Sequence, residues 1–72
     1  SLTKYALYRP FLQSIKQEPR KILELGSGIG KTTSMIAERF PNARITATDY
    51  DETQIEKAQK MNKRQKTVFQ QS

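Results

Sequence analysis

The stretch ILELGSGIGKTT, residues 22–33, decides how the chain is read. A short apolar run stops at a glycine, and glycines then stand at 26, 28 and 30 before a polar segment begins. An apolar run halted by glycine reads as a strand entering a tight turn. Two nucleotide-binding patterns overlap in that turn. Its tail, GKTT, matches the end of the phosphate-binding pattern G-x-x-x-x-G-K-[ST]. Its head, GSGIG, matches the start of the dinucleotide pattern G-x-G-x-x-G.

Register separates the two. Anchoring the phosphate pattern on Gly30, Lys31 and Thr32 requires a glycine at 25, where Leu25 stands. Gly26 is one residue too late, and a shortened loop loses the length that wraps backbone N–H groups around a phosphate. The dinucleotide pattern accepts Gly26 and Gly28 but needs a third glycine at 31, where Lys31 stands. That third glycine allows close helix–strand packing, and lysine is a poor substitute.

The flanks supply the fold. In TKYALYRPFLQSIKQ, Tyr8, Phe11, Leu12 and Ile15 recur at helical spacing, giving a leading helix over 3–17. Pro10 kinks this helix or starts a new one, and Pro19 ends it. KILEL, residues 21–25, reads as a buried strand. After the glycines, Ile29, Thr33, Ile36, Ala37 and Phe40 form a second helical stripe, which Pro41 ends. RITATD, residues 44–49, is rich in β-branched residues and reads as a second strand. Asp51 starts a third helix, with Gln54 placed to complete a capping box and Ile55, Ala58 and Asn62 on the inner face. TVFQQ, residues 67–71, reads as the start of a third strand. The order α-β-α-β-α-β implies an α/β fold with a three-stranded parallel sheet and right-handed crossovers. No linker interrupts it. The chain is one unit over 1–72, with the leading helix at 3–17 and a βαβαβ unit at 20–72.

A third pattern fits the whole loop. An apolar strand carrying an acid and running into G-x-G-x-G resembles motif I of the class I S-adenosylmethionine-dependent methyltransferases. Glu24, Gly26, Gly28 and Gly30 match it. ITATDYD resembles the family's second motif, a strand ending in an acid followed by a bulky residue, here Asp49 and Tyr50. Asp49 lies 23 residues beyond Gly26, near the spacing of a ribose-binding acid. The leading helix, with Tyr5 and Pro10, resembles the helix preceding motif I.

The resemblance implies half of a Rossmann-like methyltransferase fold that binds S-adenosylmethionine. Its cofactor-binding residues would be Glu24, Gly26, Ser27, Gly28, Gly30, Asp49 and Tyr50. Asp49 would accept the ribose hydroxyls and Tyr50 would cover an adenine face. Glu24 would support the loop or meet the amino acid end of the cofactor. The residues alone also allow plainer roles. Glu24 can pair with Lys21 or Lys31, Asp49 can cap a turn, and Tyr50 can simply pack. Lys31 and Thr32 fit the first turn of a helix. No side chain is nominated as catalytic base, and the methyl acceptor is unknown. In the family, an acid after the third strand and four further strands complete the sites for adenine and acceptor. The chain thus reads as the cofactor-binding half of a methyltransferase, inactive by itself.

Composition narrows the rest. Among 72 residues there is no Cys and no His, which excludes disulfides, Cys/His metal sites and a histidine base. The lack of Cys fits a reducing compartment, and with no signal-like apolar core near the start it suggests a cytoplasmic protein. No apolar run is long enough to span a membrane. Thirteen basic and seven acidic residues give +6. Five of those charges, Lys57, Lys60, Lys63, Arg64 and Lys66, crowd one acid-free window. A nucleic-acid patch and a solvated helix end both fit this window, and no aromatic residue is interleaved to stack bases. Two crossovers of one hand leave both helices on one face of the sheet. The opposite face and the first strand's edge would be bare, so a homo-oligomer is expected.

Overall fold

The computed structural model describes residues 9–72. In chain order they form a helical segment α1 at 9–14, β1 (Lys21–Leu25), α2 (Lys31–Arg39), β2 (Arg44–Asp49), α3 (Glu52–Met61) and β3 (Thr67–Gln71). The strands pair in parallel in the order β1-β2-β3. The βαβαβ order holds, and the three strands span the residues read from the sequence, while α2 takes in neither Ile29 nor Phe40 of its expected stripe.

The leading helix ends earlier than the spacing predicts. Residues 9–14 are helical and the chain leaves the helix by Ile15. The last turn tightens through an Ile15 N–H to Leu12 carbonyl bond of 3.3 Å. The Arg39 guanidinium then donates to the carbonyls of Leu12 (3.1 Å) and Ile15 (2.8 Å). A cation on the last carbonyls is a standard helix stop, and this one comes from α2, so no local periodicity could reveal it. The expected part at 1–8, with Tyr5 and Tyr8, lies outside the described residues.

The core lies on one face of the sheet. Ala37 of α2 and Ile55 and Ala58 of α3 pack with Ile45, Ala47 and Phe69 of the strands. One face therefore carries both helices. A second cluster of Leu12, Phe40 and Ala43 docks α1 beside Ile22 and Met35. Among the described residues the other face is open. Register places Leu23, Thr46 and Val68 in one row, and Leu25, Thr48 and Gln70 in the next. Leu23, Leu25 and Val68 remain 64%, 76% and 52% exposed. KILEL is consequently not the buried strand that its composition suggests. It is an edge strand whose apolar residues alternate between the core and an uncovered face, because side chains of a strand alternate sides.

The third helix begins at Asp51, whose carboxylate accepts from the Thr53 N–H at 2.9 Å. The capping box does not close. The Asp51 N–H donates to Asp49 instead, and the Gln54 side-chain oxygen is buried without a partner among the described residues.

Candidate functional site

The glycine loop leaves β1 at the carboxyl end of the sheet. It is stitched there by the Ser27 N–H, which donates to the Thr48 carbonyl at 2.9 Å, and by the Thr48 hydroxyl, which donates to the Glu24 carbonyl at 3.0 Å. Gly26, Gly28 and Gly30 all have positive φ, at 73°, 57° and 91°. Such a backbone strains any residue with a Cβ. The three differ in what lies around them. A Cβ on Gly26 or Gly28 would meet nothing within 4 Å, so both turn bare backbone toward open space. A Cβ on Gly30 would stand 2.9 Å from the Asn62 amide nitrogen and 2.9 Å from the Phe69 ring. Gly30 is the N-cap of α2, and its missing side chain lets that helix start against α3 and β3.

Asp49 ends β2 beside the loop. One carboxylate oxygen accepts from the Gly28 N–H and the other from the Asp51 N–H, both at 2.9 Å. The Asp51 and Gly28 amides hold its carboxyl below the usual carboxylate value, against a small opposing push from desolvation. Asp49 is thus an anion docked on the loop. Tyr50 follows it and is 82% exposed, with its carbonyl held by the Gln71 side-chain amide at 3.0 Å. Glu24 sits within β1 and accepts from the Thr33 hydroxyl of α2, a tie between strand and helix. Ser27 is buried, and its hydroxyl has no partner among the described residues.

Hydrogen bonds thus bring Ser27, Gly28 and Asp49 together at the carboxyl ends of β1 and β2, with Gly26 and Tyr50 next to them in sequence; that is the end of an open α/β sheet where ligands bind. Glu24 instead ties to α2 through Thr33, and Gly30 lies against Asn62 and Phe69. Lys31 is exposed, while Thr32 and Thr33 are buried. Sequence reasoning missed Asn62 as a polar partner of the loop. Helical spacing places it on the inner face of α3, and only the fold brings it to Ile29.

A methyltransferase-domain family model matches residues 22–72, from the start of the loop-bearing strand to the end of the chain. The chain belongs to the methyltransferase-domain family. Among curated relatives, a tRNA1(Val) (adenine(37)-N6)-methyltransferase of Vibrio parahaemolyticus is 48% identical over 40 residues, covering 56% of this chain and 17% of that protein. A trans-aconitate 2-methyltransferase of Streptomyces avermitilis is 39% identical over 56 residues, covering 69% of this chain and 21% of that protein. Among solved structures, a plantazolicin methyltransferase in complex with a substrate analogue and S-adenosylhomocysteine superposes with a TM-score of 0.69 at 29% identity, over 96% of this chain and 26% of that one. Coclaurine N-methyltransferase shares the fold, with a TM-score of 0.75 at 23% identity over 99% of this chain and 21% of that one. The matched segments span about a sixth to about a quarter of those proteins' lengths. No helix among the described residues is long and apolar enough to cross a membrane.

Proposed function

We propose that this chain holds S-adenosylmethionine for methyl transfer, and that the opening between the glycine loop and Asp49 is where it does so. One observation carries the reading: the Asp49 carboxylate already occupies the Gly28 N–H at 2.9 Å. A phosphate-binding loop needs its backbone N–H groups free to face an anion. Here an anion is built in, and it would repel a phosphate. A cofactor with a ribose and no phosphate suits the same site.

The residues present fit such a cofactor. The open space before Gly26 and Gly28 admits a ligand against bare backbone. Each Asp49 oxygen keeps acceptor capacity after its backbone bond, enough for two ribose hydroxyls. The exposed Tyr50 ring can flank a purine. Glu24 steadies the loop through Thr33. Bound there, S-adenosylmethionine supplies a methyl group activated on its sulfonium. The protein's share is to hold and orient it and to keep the loop in shape.

Calorimetry tests the reading. S-adenosylhomocysteine is expected to bind, ATP with Mg²⁺ is not, and Asp49→Ala is expected to remove binding while Lys31→Ala leaves it within about twofold. Binding of ATP alone, or loss with Lys31→Ala and not Asp49→Ala, would defeat it. We further propose that the 72-residue chain associates with a second copy through the open row of Leu23, Leu25 and Val68.

A further inference from the structure

We propose that Asn62 is a positioning residue for the glycine loop, clamping it from the helix side as Asp49 clamps it from the ligand side. Asn62 caps the C-terminus of α3, 33 residues away from Ile29 in sequence. Its amide nitrogen donates to the Ile29 carbonyl at 3.3 Å and to the Ala58 carbonyl at 3.0 Å. Its amide oxygen accepts from the Ser34 hydroxyl at 2.8 Å. Ser34 in turn receives the Arg64 guanidinium at 3.2 Å, and its N–H holds the Gly30 carbonyl at 2.9 Å.

One of the Asn62 bonds reaches the loop itself. The Ile29 carbonyl lies between Gly28 and Gly30, both in the left-handed region; its peptide is held on the N–H side by Gly30 donating to the Ser27 carbonyl at 3.0 Å and on the carbonyl side by Asn62. The Asp49 bond fixes Gly28 on one side, and Asn62 fixes Ile29 on the other. Gly30 yields the space that Asn62 fills, since a Cβ there would stand 2.9 Å from the amide nitrogen. Only a short amide meets all the demands at this place. Aspartate would aim oxygens at two carbonyl oxygens, and leucine would leave Ile29 and Ser34 without their partner. Asn62 touches no reacting atom. It acts through the loop, and its effect on affinity rests on the cofactor reading above.

The test uses Asn62→Ala, Asn62→Asp, Ser34→Ala and the Asn62→Ala/Ser34→Ala pair. Amide hydrogen exchange is followed on the ligand-free protein, and S-adenosylhomocysteine affinity is measured where each variant is folded. In Asn62→Ala the Gly28 and Gly30 amides are expected to exchange about tenfold faster, the worth of about one net hydrogen bond. The β2 amides of Ile45 and Ala47 should change far less. Affinity is expected to weaken by a similar factor, less in Ser34→Ala, and no further in the double variant than in Asn62→Ala. Should Asn62→Ala fail to fold, Asn62→Asp and Ser34→Ala carry the same readouts. Equal acceleration across loop and sheet, or unchanged affinity with a faster loop, overturns the inference. If the unsubstituted chain does not bind S-adenosylhomocysteine, the cofactor reading falls, and the exchange pattern still decides whether Asn62 holds the loop.

Discussion

Gly28 and Gly30 share a backbone region and serve opposite sides of the loop, so the same substitution should fail in two ways. At Gly28 an added Cβ finds open space, and its cost is the left-handed backbone alone, about 1–2 kcal/mol. The methyl group would instead stand in the opening where the cofactor is proposed to lie. At Gly30 the Cβ collides with Asn62 and Phe69, adding an overpacking cost of about 1–3 kcal/mol to the same strain. Gly28→Ala is therefore expected to melt several degrees below the unsubstituted protein and to lose cofactor affinity. Gly30→Ala is expected to lose much of its stability first. Thermal melts with calorimetry on both variants check this, and a reversed order would refute it. The motif already sets Gly26 and Gly28 apart for close approach of a cofactor and Gly30 for the start of the helix. What it does not name are the neighbours of Gly30, Phe69 and Asn62, which only the folded chain brings alongside. Asp49 was legible from its place at a strand end. Its bond to Gly28 was not, because no spacing rule says which loop amide a distant carboxylate will meet.

Elements were legible where their cause is local. β2, α3 and β3 start and stop where β-branched runs, an Asp N-cap and the turn before β3 put them. The leading helix was legible but its end was not, because the side chain on its last carbonyls, Arg39, comes from α2. That side chain does three things: it takes two carbonyls of the 9–15 segment, and its guanidinium lies 4.5 Å above the Phe40 ring. Hydrogen bonds from a charged donor are worth about 1.5–3 kcal/mol. Arg39→Ala is expected to cost about 2 kcal/mol and to loosen α1 without opening the glycine loop. Limited trypsin digestion would then cut faster at exposed Lys16, while S-adenosylhomocysteine affinity holds. An unchanged digestion rate would show that the Leu12–Phe40–Ala43 cluster alone keeps α1 in place. KILEL misled for a different reason. Apolar runs mark burial on both faces only when both faces are covered, and coverage belongs to topology, not to the strand.

At the scale of the molecule, the described structure has one dressed face and one bare one. The row of Leu23, Thr46 and Val68 runs across all three strands, with Leu25 beside it, and the outer edge of β1 is unpaired among the described residues. Parallel sheets are ordinarily covered on both sides, and exposed apolar rows with an open strand edge recruit partners. The 8.3 kDa chain is expected to run as a dimer or larger in light scattering at tens of micromolar. Leu23→Lys should shift it toward monomer without disturbing the loop. A monomer at all concentrations would remove the second copy from the account.

The bare row also makes concentration a variable in its own right. A surface that is satisfied by association ties the folded state to mass action, so the melting temperature should climb with protein concentration. Binding curves taken at nanomolar and at micromolar protein would then report on different species. A cofactor affinity for this chain is meaningful only when quoted with the concentration at which the sheet was, or was not, covered.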